Sequence, residues 1–258
     1  NVVLDELLRR GVPAGEIVAT ARDTSKLDAY AEKGVQVRYA DYDDTASLDA
    51  AFVDVDRLLL ISSGSNGQLI QHHANAIDAA KKAGASEIVY TSFLNADTSG
   101  IIMAQPHAET EQLVRHSGIP FAILRNGNYI ENYAPPVGFW TQSPETVGAA
   151  GDGKISGASR DDLAIAAAIV ISGEPVTGES YDLVGPAYTM QDLVDLAAEL
   201  ANTSIRYQNL PKDEYAKVLE SGGFPAPVAA GVADINAGAA TGGWDSGSDD
   251  LTPVLGRQ

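Results

Sequence analysis

The short apolar runs in the first half of the chain end in polar residues of types that hold nucleotides and small acceptors. Ile88-Val89-Tyr90 runs into Thr91-Ser92, and Phe121-Ala122-Ile123-Leu124 runs into Arg125-Asn126-Gly127-Asn128. Hydroxyls and amides there can bind a ribose, a carboxamide or a carbonyl, and a glycine lets backbone approach a ligand closely. Ser62-Ser63-Gly64 repeats the pattern after Arg57–Ile61, although an ordinary Gly-Ser turn explains it equally well when taken alone. Arg22 ends the run that begins at Glu16, with Lys26 near it. An arginine at such a place suits a ribose 2′-phosphate, whereas an acid there would bond the 2′-hydroxyl. The competing reading is a solvated arginine at a strand end. Asp41-Tyr42 ends the next run and could bracket an adenine edge; an Asx turn explains Asp43 or Asp44 equally well. His107 and Glu111 lie one helical turn apart with Thr110 between them, a spacing that could serve a proton relay. The plainer reading is a helix start whose Glu109 and Glu111 complement the dipole. Tyr129 and Asn132 follow the last break, with packing the alternative for Tyr129. His72 and His73 point about 100° apart on a helix and cannot chelate one ion together. A metal site is disfavoured throughout.

These residues need elements that bring them to one edge. The pattern predicts strands over 16–22, 35–40, 57–61, 88–90 and 121–124, separated by helices over about 24–32, 45–52, 68–83 and 107–116. Alternating strands and helices with short connections indicate an α/β fold, a doubly wound parallel sheet with helices on both faces. In such sheets ligands bind outside the carboxyl ends of the strands, where the polar breaks fall. Val3, Leu4, Leu7 and Leu8 open the chain at helical spacing, and Gly11 fits the end of that helix. From Tyr133 to Gly157, prolines and glycines predict loop with short strand pieces. Ser159 to Asp162 and Thr189 to Asp192 read as helix starts. Strands are expected over 180–184 and 205–209, and helices over 211–220 and 225–237. The stretch from Gly242 to Gln258 is polar and weakly patterned. Residues 1–133 are expected to form a nucleotide-binding domain and residues 134–258 a smaller substrate-binding α/β lobe, with 160–185 returning to the first.

Composition narrows the classes. The 258 residues are 45% hydrophobic and carry a formal net charge of −18. So acidic a chain repels phosphate backbones, and no local basic patch offsets this, so nucleic acid is not an expected partner. No apolar run approaches a membrane span. Cysteine is absent, which removes disulfides and thiolate chemistry and fits a reducing, cytoplasmic setting.

The stretch HAETEQLVRHSGIPFAILRNGNYIENY, with IVYTSFLNADTS before it and GAAGDGKISGASRDDLA after it, resembles the NmrA-like branch of the atypical short-chain dehydrogenase/reductases. Within the branch it is most similar to the type 2 NAD(P)H:quinone oxidoreductases, with the triphenylmethane reductases near by. VPAGEIVATARD, VRYADYDD and LLLISSG match in the same order, so the likeness covers nearly the whole chain. The resemblance implies a Rossmann domain holding NADP, with NADPH preferred over NAD. It implies hydride transfer to a quinone or dye acceptor, with a homodimer as the assembly to look for. It places Arg22 at the 2′-phosphate and Gly64 along the ribose-phosphate path. It also puts Gly127, Asn128, Tyr129, Ile130, Glu131 and Asn132 around the nicotinamide and acceptor, with Tyr129 and Asn132 nearest the substrate. Asp41, Ser62, Ser63 and Thr91 join the cofactor side, and His107 is the catalytic candidate.

Two departures stand out. Family members open with a strand and a Gly-x-x-Gly-x-x-Gly loop that binds the pyrophosphate. Here Asn1 falls where that loop would hand over to the helix, so a fragment of a complete enzyme is expected. The superfamily's Tyr-x-x-x-Lys is replaced by His107-x-x-Thr110-Glu111, which disfavours isolated ketones and favours acceptors whose reduced oxyanion is ring-stabilised. A non-catalytic NADP redox sensor binding a protein partner and a triphenylmethane-dye reductase are the competing readings.

Overall fold

The computed structural model describes residues 1–62, 67–175 and 178–257, so Ser63 and Gly64 lie outside the described residues. The first half runs α1 (Val2–Arg9), β1 (Val18–Ala21), α2 (Asp28–Ala31), β2 (Gln36–Tyr39), α3 (Thr45–Ala51), β3 (Arg57–Leu60), α4 (Leu69–Ala83), β4 (Glu87–Phe93), α5 (Gln105–His116) and β5 (Phe121–Asn126). The second runs β6 (Asn128–Tyr129), α6 (Ala134–Trp140), β7 (Glu145–Gly148), β8 (Ile155–Ala158), α7 (Arg160–Ser172), β9 (Glu179–Leu183), β10 (Ala187–Tyr188), α8 (Met190–Leu200), β11 (Arg206–Asn209), α9 (Lys212–Ser221), α10 (Ala226–Ala240) and α11 (Leu251–Leu255).

The large sheet has the order β3-β4-β5-β9 and is parallel throughout. It is Rossmann-like, as the alternation of elements predicts. Successive residues of a strand face opposite sides of its sheet, and the central strands serve one core on each side. Ile88, Tyr90 and Ile123 pack with Ala76, Ile77 and Ala80 of α4 and Val114 of α5. Val89, Ala122 and Leu124 pack with Leu163, Ala166, Ala167 and Val170 of α7. Burial on both faces is why these strands read as unbroken apolar runs. Ile123, fully buried, illustrates the scale: truncation of such a side chain to alanine costs roughly 2–5 kcal/mol.

β1 and β2 form a separate parallel pair. Leu4, Leu7 and Leu8 of α1 pack on it, and Gly11, at φ +84°, turns the chain out of that helix. Among the described residues no strand pairs with both β1 and β3. Val18, Ala19 and Thr20 line one cleft with Arg57, Leu58 and Leu59, and this cleft of about 1100 Å³ is bordered by α1 and α7.

The small sheet, β10-β8-β6, is mixed, and β11 pairs with β7 alongside it. Two expectations are corrected here. The stretch after Tyr133 contains a helix, α6, although loop is expected. Its prolines fall in the first turn, where the missing N–H has no intrahelical partner to lose. The tail after Ala240 also has structure. Asp182 N–H donates to Asp250 Oδ2 at 2.8 Å and Asp250 N–H to Asp182 O at 3.2 Å, seating Leu251 of α11 in the core beside α7. Two hydrogen bonds to a distant strand, one accepted by the Asp250 carboxylate and one donated by its backbone N–H, hold this tail, and they leave no periodic apolar signal. No helix among the described residues is long and apolar enough to cross a membrane.

Candidate functional site

A cavity of about 700 Å³ opens at the carboxyl ends of β3, β4 and β5. Ser62 follows β3, and its N–H donates to Thr91 Oγ1 of β4 at 2.9 Å, tying two of the polar breaks together across the sheet. Gly127, between β5 and β6, stands where no side chain fits. A Cβ there would meet Ser156 O at 2.5 Å and Val184 Cγ1 at 2.9 Å. Asn128, buried, donates through Nδ2 to Tyr133 Oη at 3.2 Å. Tyr129 and Asn132 complete that wall. Both are held by Arg160, the first residue of α7, whose guanidinium lies 5.2 Å from the Tyr129 ring centre and donates to Asn132 Oδ1 at 2.8 Å.

The opposite wall comes from α5. His107 lines the cavity and its Nδ1 lies 2.9 Å from Tyr90 Oη on β4. Burial pushes this imidazole down to about 4, against a weaker upward pull from Glu111. His107 is therefore neutral at pH 7. Behind it, Thr110 Oγ1 donates to Pro106 O at 2.9 Å and lies 3.1 Å from His73 Nδ1 of α4. His73 is also pushed down to about 4, mainly by burial and then by the charges of His107 and His72.

Glu111 has a structural task. Its buried carboxylate accepts Ser92 Oγ at 2.7 Å, Arg125 Nε at 2.9 Å and Arg125 Nη2 at 2.7 Å. The fork from Arg125 is bidentate, the geometry of a strong pair, and Asp97 adds a second carboxylate at 3.3 Å. Arg125 thus clamps α5 to the ends of β4 and β5 instead of lining the cavity, unlike the rest of the break it belongs to.

Ser62, Thr91, His107, Gly127, Asn128, Tyr129 and Asn132 all line the one cavity. Arg22, Asp41, Ile130 and Glu131 do not. Arg22 is exposed just past β1. Asp41 Oδ1 accepts from Asp43 N–H in a turn, and Asp44 caps α3 through Ala46 and Ser47. Ile130 points outward, and Glu131 Oε1 accepts from Arg160 N–H at 2.8 Å.

Residues with little warning in the sequence also contribute. Trp244 packs 4.6 Å from Phe93, and both line the cavity with Met103 and Ile235. A tryptophan within a glycine-rich, otherwise polar stretch was the one available signal. Asn126 lines the cavity with Oδ1 buried and without a hydrogen-bond partner among the described residues. Arg160 is the sole formally charged residue among the described lining residues. The described residues hold no group of three or more His, Cys, Asp or Glu arranged to bind a metal.

Residues 1–172 match a family model described as NAD(P)H-binding. The chain is 45% identical to quinone oxidoreductase 2 of Escherichia coli (strain K12) over 98% of its length and 88% of the relative's. Its fold matches a crystal structure of an NADPH-dependent quinone oxidoreductase from Escherichia coli complexed with NADPH. The TM-score is 0.95 and the identity 42%, covering 99% of this chain and 90% of that one. It also matches the triphenylmethane reductase of Citrobacter sp. complexed with NADP(H), at TM-score 0.93 and 34% identity over 99% and 91% of the two chains.

Proposed function

Because the chain belongs to the NAD(P)H-binding family, we propose that it is an NADPH-dependent oxidoreductase whose acceptor is a quinone or a similar flat electrophile. The observation that carries the acceptor class is the cavity wall. Phe93, Tyr129 and Trp244 give it aromatic sides, and its histidine is uncharged at neutral pH. Such a wall suits a neutral conjugated ring. It lacks the strong proton donor that an isolated ketone requires, whereas a quinone's reduced oxyanion is stabilised by its own ring. Orientation of the acceptor then supplies much of the rate.

The residues present fit the cofactor. The orphaned Asn126 Oδ1 is an acceptor for an amide N–H such as a nicotinamide carboxamide carries. Gly127, Asn128, Tyr129 and Asn132 would hold the ring side, Ser62 and Thr91 the adjoining ribose, and Arg22 the 2′-phosphate. When bound, NADPH supplies the hydride. The chain's own residues orient acceptor and donor and exclude water with their aromatic walls.

The matched triphenylmethane reductase makes a cationic dye the second acceptor to weigh. Arg160, as the only charged lining residue described, argues against it by repulsion. Steady-state oxidation of NADPH with a simple benzoquinone should therefore exceed that with a cationic triphenylmethane dye. Tight NADPH binding without turnover of any quinone or dye would overturn the enzymatic reading in favour of a redox sensor.

A further inference from the structure

We propose that Tyr90 is a positioning residue that fixes His107 as the Nε2–H tautomer, so that a neutral N–H faces the acceptor where negative charge develops. The inference rests on the acceptor reading above and adds the group that meets the oxyanion.

Tyr90 sits in the middle of β4 with no exposed surface and takes no part in lining the cavity. A phenol so placed must spend its hydroxyl on a protein partner. That partner is His107 Nδ1, 2.9 Å away. Either group could donate. Both are neutral at pH 7, since burial holds the imidazole low and the phenol high. Between a neutral phenol and a neutral imidazole, the phenol is much the stronger donor and the imidazole nitrogen much the stronger acceptor. The shared hydrogen therefore belongs to Tyr90 Oη.

The surroundings reinforce this direction. The hydroxyl of Thr110 donates to Pro106 O, so it does not compete for the hydrogen that the phenol shares with His107. The Tyr90 ring is held edge-on against His73 at 5.3 Å and stacked with His107 at 6.2 Å. With Nδ1 occupied as an acceptor, the ring hydrogen of His107 must lie on Nε2, because the two nitrogens share one hydrogen in the neutral ring. Nε2 has no hydrogen-bond partner among the described residues, and the residue lines the cavity.

The chemistry balances without a proton from His107. The quinone gains two electrons and one hydrogen as hydride from NADPH, leaving the charge on a carbonyl oxygen. One proton from solvent then completes the hydroquinone. His107 hydrogen-bonds to the oxyanion and stays neutral on both sides of the step. The opposite tautomer would aim a lone pair at the same charge.

The test reads the tautomer directly. Nitrogen-15 NMR of the histidine rings near neutral pH, with His107 assigned by loss of its signals in His107→Gln, should give an unprotonated Nδ1 and a protonated Nε2. Tyr90→Phe should move both shifts toward a tautomer average. It should also lower kcat with benzoquinone by about tenfold, less than the roughly hundredfold or greater loss when an oxyanion donor is removed outright, while leaving the NADPH Kd in place. A wild-type His107 protonated on Nδ1 overturns the proposal even if Tyr90→Phe does not fold. So does a folded Tyr90→Phe with unchanged tautomer and kcat. The NMR measurement needs no turnover. Absence of quinone reduction beside the stated tautomer therefore refutes the acceptor reading, and the wrong tautomer refutes this one.

Discussion

Acidification should weaken the fold through His107 and His73, by an amount the structure sets. Both rings are held at about 4 by burial, against an ordinary value near 6.5. A histidine depressed in this way stays neutral in the native state while the unfolded chain takes up a proton. Its stabilisation is complete above about pH 6.5 and is lost as pH falls through the folded value near 4. One unit corresponds to about 1.4 kcal/mol, so each ring puts roughly 3 kcal/mol at stake. The two do not add in full, because the charge of His107 is one cause of the shift at His73. A loss of about 3–6 kcal/mol is comparable to the whole stability of many domains. Urea midpoints measured across this window in wild type and His107→Gln provide the assay. Acid also relieves repulsion in a chain of charge −18, and the variant carries that background equally. The wild type should lose stability between about pH 6.5 and about pH 4, and His107→Gln should lose distinctly less. Parallel curves for the two proteins would refute the reasoning.

Arg125→Met should cost up to roughly 3–5 kcal/mol by leaving the buried Glu111 carboxylate only the longer contact to Arg115, at 3.5 Å, as an ion pair, and adding Glu111→Leu should restore most of it; urea titration of both variants checks this, and a loss below about 1 kcal/mol would deny the clamp. Gly127→Ala should destabilise by roughly 1–3 kcal/mol, since its Cβ would overlap Ser156 O and Val184, as thermal unfolding would reveal. Arg22→Ala should weaken NADPH by about tenfold or more while leaving NADH nearly unchanged, the loss of a charge-assisted contact to phosphate. Equal losses in calorimetric titrations of the two cofactors would remove Arg22 from the 2′-phosphate.

The central strands were legible because burial on both faces leaves unbroken apolar runs, as at Ile88–Tyr90 and Phe121–Leu124. Their polar ends follow from the same logic, and Ser62, Thr91 and Asn128 do meet in one cavity. What escaped depends on partners distant in the chain. Arg125 reads like any other polar residue at a strand end, and only the approach of Glu111 makes it a clamp. Arg160 reads as a helix start, which it is, but its side chain crosses to Tyr129 and Asn132. The two Asp250–Asp182 bonds and the first-turn prolines of α6 carry no periodicity at all.

The crossing at Gly127 has a mechanical consequence. A hinge needs backbone free to change φ and ψ, yet here the N–H is fastened to Leu183 O at 3.1 Å and the space beside Cα is filled by Ser156 and Val184. Torque on one sheet is passed to the other instead of being absorbed. The floor of the cavity, from Asn126 to Asn128, is therefore fastened to both sheets at once, and its register is set by both.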